Sequence, residues 1–408
     1  MSNYKLRTTI NRPANATDTI DYLLTLALKS KASDIHLSIN QPTELNPDPY
    51  MFRLRVDGKL QVHKCGFLNG FYSEVLARFK VLASMSTTDV GVPLDGQMIV
   101  DSPQGQTVLR ISTVPCQDEE ELVIRIQNNN SIFPSIDKLQ MTREMKSRLG
   151  SIIRQKSGLI LITGPAGSGK TTTIYSMINS IASPDKKIIT AEDPIETRLP
   201  YVNHTQVSRK ADFATLGRSF MRQDAEVIFI GEVRDAESAQ SALQLAQTGH
   251  LVLTTLHTRD SIGTISRLEA LGIHSNSIAT TLIGSLSQRL IPALCKSCKV
   301  PHNLDSDTLH KLSDIMPLID GYKIFQAGPG CDSCTNGYAG RLPIFELLVV
   351  DPVLSDAIDR KKSKLEILEL ARRKGMLSLA QEALIRVYSG YIDLRSVESY
   401  LVGPSYDT

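Results

Sequence analysis

The chain has 408 residues, 41% of them hydrophobic, and its 45 basic and 43 acidic residues leave a net charge of +2. This length allows two or three domains with their own cores, and the balanced charge gives no overall electrostatic argument for a nucleic-acid or anionic-membrane partner. No apolar run approaches the roughly 20 residues that span a bilayer, and the N-terminus lacks a signal pattern, so we expect a cytoplasmic protein.

The first part of the chain predicts a small α/β domain over residues 1–127. Helical spacing of apolar residues marks Thr17–Ala32 and a second helix near Phe71–Met85. Short apolar runs predict four strands, at Asp34–Ile39, Met51–Val56, Thr107–Thr113 and Glu121–Ile126. The polar stretch Asn128–Asn130 and Pro134 then indicate a linker over residues 128–140.

Residues 141–294 alternate between short apolar runs and helical patterns. The runs are Leu159–Thr163, Lys187–Ala191, Val227–Ile230 and Leu251–Thr254. The helical patterns are Thr171–Ile181, Phe213–Arg222, Ala236–Gln247 and Ser261–Leu271. Such alternation predicts a parallel sheet covered by helices on both faces. Residues 295–340 are irregular and rich in cysteine, and residues 341–408 predict a C-terminal helical region, with the helical pattern at Ser363–Leu401.

The segment after the first of these runs fits the phosphate-loop pattern, between a strand and a helix as that pattern requires. The candidate nucleotide ligands are Gly164, Pro165, Ala166, Gly167, Ser168, Gly169, Lys170, Thr171 and Thr172. The glycines let backbone N–H groups ring the phosphates, Lys170 reaches the β and γ phosphates, and Thr171 offers a hydroxyl to Mg²⁺. The alternative is a glycine-rich turn that binds nothing, but every fixed position of the pattern is filled.

Two acidic segments follow predicted strands, Glu192–Glu196 and Gly231–Asp235. A carboxylate beside a phosphate loop can hold Mg²⁺ through water or orient the attacking water. Glu232 is the first candidate for this catalytic role, with Glu192 and Glu196 beside it. Acidic residues at strand ends also cap helices, and capping is the role expected of Asp235.

These motifs, followed by Thr248-Gly249-His250 and Leu256-His257-Thr258, resemble the type II secretion and type IV pilus assembly ATPase family. The resemblance runs from about residue 32 to residue 350, with the motifs in the family's order. It implies a RecA-like ATPase core, a small α/β (PAS-like) domain before it, and a zinc-binding and helical C-terminal region after it. It also implies ATP and Mg²⁺ as cofactors.

The resemblance further implies a homo-hexameric motor that powers pilus or pseudopilus assembly or type II secretion. Its partner would be a platform protein of the inner membrane, where the motor would sit peripherally. The family's histidine box corresponds to His250–His257 and lines the nucleotide site. A histidine at a strand end is often a satisfied core group, and this is the alternative for His250. His257 follows the strand as it emerges and is the better candidate for sensing the γ-phosphate.

Arginines of the N-terminal domain contact nucleotide across subunits in that family. The candidates here, on segments that match it, are Arg53, Arg55, Arg110 and Arg125. Each could instead be a surface strand residue. The chain departs from the family at Asp95-Gly96-Gln97, where an arginine is replaced, and at Asp224-Ala225-Glu226, which we interpret as a local loop change. Assembly members of the family commonly carry a further N-terminal domain that docks on the membrane platform, whereas this sequence begins almost at the small α/β domain. The sequence therefore does not predict which surface would dock on the platform.

Four of the six cysteines form two C-x-x-C pairs, Cys295 with Cys298 and Cys331 with Cys334. This spacing lets two turns present four thiolates to one structural Zn²⁺. The alternative is a redox-active pair, but neither pair starts a helix after a strand. In the family this module is typical of assembly rather than retraction members. Cys65 and Cys116 lack such spacing and are expected to be buried thiols.

Two other functional classes are weighed against the motor. A nucleotide-gated scaffold would bind ATP with little turnover, yet it would not need three carboxylates at the site. A nucleic-acid translocase is disfavoured by the balanced charge, the absence of tryptophan and an aromatic content of 5%. We therefore expect no nucleic-acid partner.

Overall fold

A computed structural model describes residues 3–9, 13–40, 42, 48–64, 66–89, 91–103, 105–116, 119–127, 135–208, 210–318 and 321–401. Contacts divide the chain into two compact units, Met1–Ile132 and Phe133–Thr408. No helix in the described part of the chain combines the length and apolar character needed to cross a bilayer.

In its described residues, the first unit is a seven-stranded sheet with two α-helices, α1 (Ala16–Lys29) and α2 (Tyr72–Leu82), and a short 3-10 helix at Gly66–Gly70. Its strands are β1 (Asn3–Lys5), β2 (Asp34–Ile39), β3 (Tyr50–Val56), β4 (Lys59–His63), β5 (Leu94–Ser102), β6 (Gly105–Pro115) and β7 (Glu120–Gln127). The strand order is β1-β5-β6-β7-β2-β3-β4, antiparallel except for β1 beside β5. One face packs on the helices, so Leu109 and Ile111 are buried while Arg110 between them is not.

The second unit is built on another seven-stranded sheet. Its first six strands are β8 (Gly158–Thr163), β9 (Ile188–Glu192), β10 (Val202–Gln206), β11 (Val227–Ile230), β12 (Leu251–Leu256) and β13 (Leu282–Leu294). The next two strands, β14 (Val300–Pro301) and β15 (Phe325–Gln326), form a separate two-stranded ribbon. The seventh strand of the large sheet is β16 (Tyr338–Val349). The order is β10-β9-β11-β12-β8-β13-β16, and all neighbours are parallel except β13 and β16. The predicted parallel sheet of an α/β ATPase fold is confirmed.

Helices cover both faces of this sheet. The α-helices of the described part of this unit are α3 (Arg143–Ile152), α4 (Lys170–Ile181), α5 (Phe213–Phe220), α6 (Ala236–Gln247), α7 (Gly263–Ala270), α8 (Ser275–Thr281), α9 (Ser306–Ile315), α10 (Pro352–Asp359), α11 (Lys364–Arg373), α12 (Leu379–Tyr388) and α13 (Glu398–Leu401). Successive residues of β8 enter opposite cores: Leu159 and Leu161 pack with α6, and Ile160 and Ile162 pack with α4. A strand buried on both faces is therefore apolar throughout.

The structure differs from the sequence predictions at the ends of the second unit. Residues 128–134 of the predicted linker lie outside the described part. Of the remaining linker residues, Ile136 and Leu139 are apolar and are buried in the core beside α4 instead of lying in an exposed linker. Residues 341–349, the first part of the region expected to be helical, continue the strand β16, which pairs with β13, and helices α10 to α13 follow them. Both strands therefore belong to the central sheet.

Of the two cysteines outside the C-x-x-C pairs, Cys116 lies in the described part of the chain and differs from the prediction. Cys116 is exposed rather than buried, because it follows the last residue of β6 and enters the turn to β7, where its backbone N–H donates to the Glu119 carbonyl at 2.7 Å. Cys65 lies outside the described residues.

Candidate active site

The phosphate loop joins the carboxyl end of β8 to the first residue of α4, Lys170. Two of its glycines are required by the backbone. Gly169 caps α4 with a φ of +87°, and a Cβ on Gly164, where φ is +151°, would lie 2.5 Å from the Gln288 carbonyl oxygen. The Gln288 side chain also donates to the Ser168 carbonyl at 2.7 Å, so strand β13 supports the loop.

The Lys170 ammonium lies over the loop. Its Nζ donates to the carbonyls of Gly164 at 2.7 Å and Pro165 at 3.1 Å. Burial lowers the pKa of Lys170, and the facing Glu232 carboxylate opposes this effect. The ammonium is thus held where the loop would receive an anion.

A cleft of about 170 Å³ opens beside the loop, at the carboxyl edge of the parallel strands, where ligands bind in open α/β sheets. Six residues predicted for the site line it together: Lys170, Thr171, Glu192, Glu196, Glu232 and His257. The structure therefore brings the loop, both acidic segments and one of the two histidines to one place.

Glu232 lies two residues beyond β11, and His257 directly follows the neighbouring strand β12. His257 Nε2 is 3.1 Å from Glu232 Oε1, and Arg234 Nε donates to Glu232 Oε2 at 2.8 Å. The Glu232 side chain is 23% exposed, which leaves it accessible from the cleft. Its carboxylate can accept a proton or orient water beside Lys170.

Glu192 has a different environment, with 3% of its surface exposed. Oε1 accepts hydrogen bonds from the Thr190 hydroxyl and from His204 Nδ1, the latter at 2.6 Å, and Oε2 accepts one from the Tyr175 hydroxyl. Glu196 is partly exposed at the cleft wall. The first acidic segment thus offers one enclosed carboxylate, Glu192, and two accessible ones, Asp193 and Glu196.

His250 is separated from this cleft. It precedes β12, beside Gly158 at the amino end of β8, and its Nδ1 donates to the Leu245 carbonyl at 2.9 Å. The length of β12 puts roughly 20 Å between it and His257. This position does not support contact with nucleotide in the same chain and fits the satisfied-histidine alternative. Asp235 caps α6 as expected, accepting from the Ser238 N–H at 2.8 Å.

The four arginine candidates, Arg53, Arg55, Arg110 and Arg125, lie on the helix-free face of the first unit's sheet. Cross-strand pairs form one row, Gln97–Arg110–Arg125–Asp34–Arg55. Arg125 Nε is 3.0 Å and Arg55 Nε 3.6 Å from the Asp34 carboxylate. Gln97, at the departure from the family pattern, begins the row, so the replaced arginine would have extended the same face.

Sequence reasoning missed several residues around the cleft. Arg234 lies in the second acidic segment, and its position two residues after Glu232 could have identified it as a site residue. Tyr175, His204 and Gln288 carry no such signal, because they reach the site only through contacts between elements distant in the chain.

The four predicted metal ligands, Cys295, Cys298, Cys331 and Cys334, also come together, with all sulfurs within 4.8 Å of one another. Three of the Sγ–Sγ separations are 3.5, 3.7 and 3.7 Å. A disulfide needs about 2.05 Å, whereas zinc–sulfur bonds of about 2.3 Å in a tetrahedron put the sulfurs about 3.8 Å apart. The cluster therefore fits a four-thiolate metal site and not two disulfides.

A phosphate loop at the carboxyl edge of a parallel sheet, faced by carboxylates from the neighbouring strand ends, defines a P-loop ATPase. Residues 12–399 match the family model described as type II/IV secretion system protein. The chain belongs to this family, as its motifs predicted.

Relatives and solved structures agree with this assignment. The chain is 38% identical to the type IV pilus assembly ATPase PilB of Thermus thermophilus, over 91% of this chain and 41% of that protein. It is 36% identical to type II secretion system protein E of Dickeya dadantii, over 91% of this chain and 72% of that protein. The structure of the ATPase DotB of Legionella pneumophila has a TM-score of 0.68 and 21% identity, covering 98% of this chain and 100% of the other, which shows the shared fold.

Proposed function

We propose that this chain hydrolyses ATP and works as the motor of a pilus or pseudopilus assembly machine or of a type II secretion system. The observation that carries the proposal is the cleft in which Lys170, Thr171, Glu232 and His257 meet. The family of the chain supports the proposed role in pilus assembly or type II secretion, since the relatives are named for these two processes.

The residues of the cleft divide the work of phosphoryl transfer. Lys170 and the loop N–H groups hold the β and γ phosphates, and the Thr171 hydroxyl is the ligand for Mg²⁺, which neutralises phosphate charge when bound. Glu232 orients the attacking water, and His257, 3.1 Å from it, responds to the γ-phosphate. Arg234 Nε donates to the second oxygen of Glu232, which fixes the orientation of this carboxylate.

The active form in this proposal is a homo-hexamer. The row of arginines on the first unit's open sheet face supports it, because such a face presents several guanidinium groups to one partner surface. A guanidinium supplied by a neighbouring subunit would stabilise charge on the transferred phosphoryl group. We place the ring in the cytoplasm, peripheral to the inner membrane, where it would act on a platform protein.

The tetracysteine cluster is proposed to hold one Zn²⁺ with a structural role, since four thiolates leave no position for a substrate. In the described residues of the segment it ties down, the regular elements are α9 and the β14–β15 ribbon. The metal would therefore add to the core packing that Leu312 and Ile324 give this segment.

Purified protein is expected to contain about one zinc per chain, measured by elemental analysis. Cys298→Ser should lower this content, because three thiolates bind the metal more weakly than four. The exposed Cys116 offers the control, since Cys116→Ser should leave the zinc content unchanged. Zinc-free protein from a preparation without chelators, with disulfides among these cysteines, would favour the redox alternative.

Steady-state ATPase activity with and without DNA separates the motor from its two alternatives. A motor for a membrane machine should hydrolyse ATP without DNA, and DNA should not stimulate it. Nucleotide binding without turnover would favour the scaffold, and stimulation by DNA the translocase. A pull-down from native cells would then identify the membrane protein that the motor drives.

A further inference from the structure

The enclosed carboxylate of Glu192 is the strongest feature that the proposed function leaves unused. Three side chains donate to it: Tyr175 and Thr190, which are fully buried, and His204, whose side chain is 1% exposed. Burying a carboxylate costs free energy unless its oxygens accept hydrogen bonds, and protein groups donate to both oxygens of Glu192.

The backbone fixes the direction of the His204 contact. The Leu199 N–H donates to His204 Nε2 at 3.0 Å, so Nε2 carries no proton. The proton of the neutral ring is then on Nδ1, which lies 2.6 Å from Glu192 Oε1. His204 is thereby a dedicated donor to this carboxylate.

Two of the donors, Tyr175 and His204, come from different elements of the second unit. Tyr175 lies on α4, the helix that begins with Lys170 and Thr171, whereas His204 lies on β10 at the edge of the sheet. Backbone groups of Glu196 and Thr197 also donate to the Tyr175 hydroxyl, and burial beside Glu192 raises the pKa of this hydroxyl. Glu192 therefore ties the phosphate-loop helix to the first acidic segment.

This environment separates Glu192 from Glu232. To act as a base, Glu192 would have to give up one of its three donors while only 3% of its surface is exposed, whereas Glu232 is open to the cleft and faces Lys170. We infer that Tyr175 and His204 are positioning residues of the nucleotide site, which act through Glu192 to hold the phosphate-loop helix against the acidic segment. This inference rests on the proposed ATPase function.

The test measures kcat and the Kd for ATP in Tyr175→Phe, His204→Leu and the double variant. Misplacement of the phosphate loop should lower kcat and weaken ATP binding, each by about tenfold. Because both side chains act through one carboxylate, the double variant should resemble the single variants rather than show the product of their effects. His204→Gln restores an N–H donor and should recover most of the loss. Tyr201→Phe, at a tyrosine that is 60% exposed, is the matched control and should behave as wild type.

Three results would overturn the inference. The first is wild-type kcat and Kd in both single variants, in a protein whose hydrolysis depends on Lys170. The second is a double variant that shows the full product of the two effects. The third is a Glu192→Gln variant as inactive as Glu232→Gln while Tyr175→Phe remains active, because Glu192 would then act directly. If the wild-type protein does not hydrolyse ATP, the proposed function fails, and the Kd values still decide the positioning inference.

Discussion

Lys170→Ala is expected to lower ATP hydrolysis by on the order of 10²–10³-fold or more, to the background of the assay. Lys170 is the one lysine or arginine that the phosphate loop itself contributes, and its Nζ lies over the Gly164 and Pro165 carbonyls in the described loop. Without it, no side chain of the loop delivers positive charge to the β and γ phosphates. Steady-state phosphate release measures the effect.

Glu232→Gln should separate binding from turnover at the same site. The amide keeps the shape and one acceptor oxygen for Arg234, so nucleotide should still bind, whereas loss of the ionised carboxylate should lower kcat by about 10²–10⁴-fold. Lys186→Ala and Glu237→Gln change exposed residues outside the cleft and serve as matched controls. Near-wild-type turnover in Lys170→Ala protein would refute the site assignment.

The second large effect concerns the arginine row. If a neighbouring subunit supplies a guanidinium to the γ-phosphate, its removal should cost roughly 10³ to 10⁵ in rate, by analogy with other P-loop enzymes, and leave nucleotide binding largely intact. Arg53→Ala, Arg55→Ala, Arg110→Ala and Arg125→Ala test the four candidates. Arg78→Ala, an exposed arginine of α2, is the control from the same unit and should retain activity. Specific activity should also rise steeply with protein concentration.

The decisive version of this experiment mixes two inactive proteins. One carries Lys170→Ala and the other the arginine substitution with the largest effect. In mixed rings some interfaces regain one intact phosphate loop and one intact arginine, so partial recovery of hydrolysis is expected. A mixture that stays inactive while mixed rings demonstrably form, with activity that does not change on dilution to monomer, would contradict the shared site.

The elements best predicted from the sequence are those whose pattern has one physical explanation. Val227–Ile230 is buried on both faces and therefore uniformly apolar, and Ala236–Gln247 has a helical apolar stripe and an N-cap at Asp235. The long strand β13 was missed because Ser285, Ser287 and Gln288 are buried in it, so neither alternation nor a continuous apolar run appears. β4 and β10 were missed because edge strands with polar, partly exposed residues resemble loops.

The residues of the candidate site also fall into those that the sequence could predict and those that it could not. Its motif residues could be found because glycines, lysine and carboxylates at strand ends have few other uses in such an order. The different environments of Glu192 and Glu232 could not, because burial and donors come from residues far along the chain. For His250 the information was present, since a strand as long as β12 already separates its two ends by roughly 20 Å.

The pairing of β13 with β16 also determines how the segment between these two strands could be removed or exchanged. Leu294 and Tyr338 are partners in the ladder, so the segment that carries the four cysteines leaves the sheet and returns to it at one point. A short turn could close this gap, and the central sheet and phosphate loop would keep their connections. The segment also covers Ile291 and Ile344 through Leu312 and Ile324, so its removal would uncover apolar surface. The module is thus an insertion whose two ends meet at one ladder position, and exchanging it also requires replacing the apolar side chains that it contributes to this core.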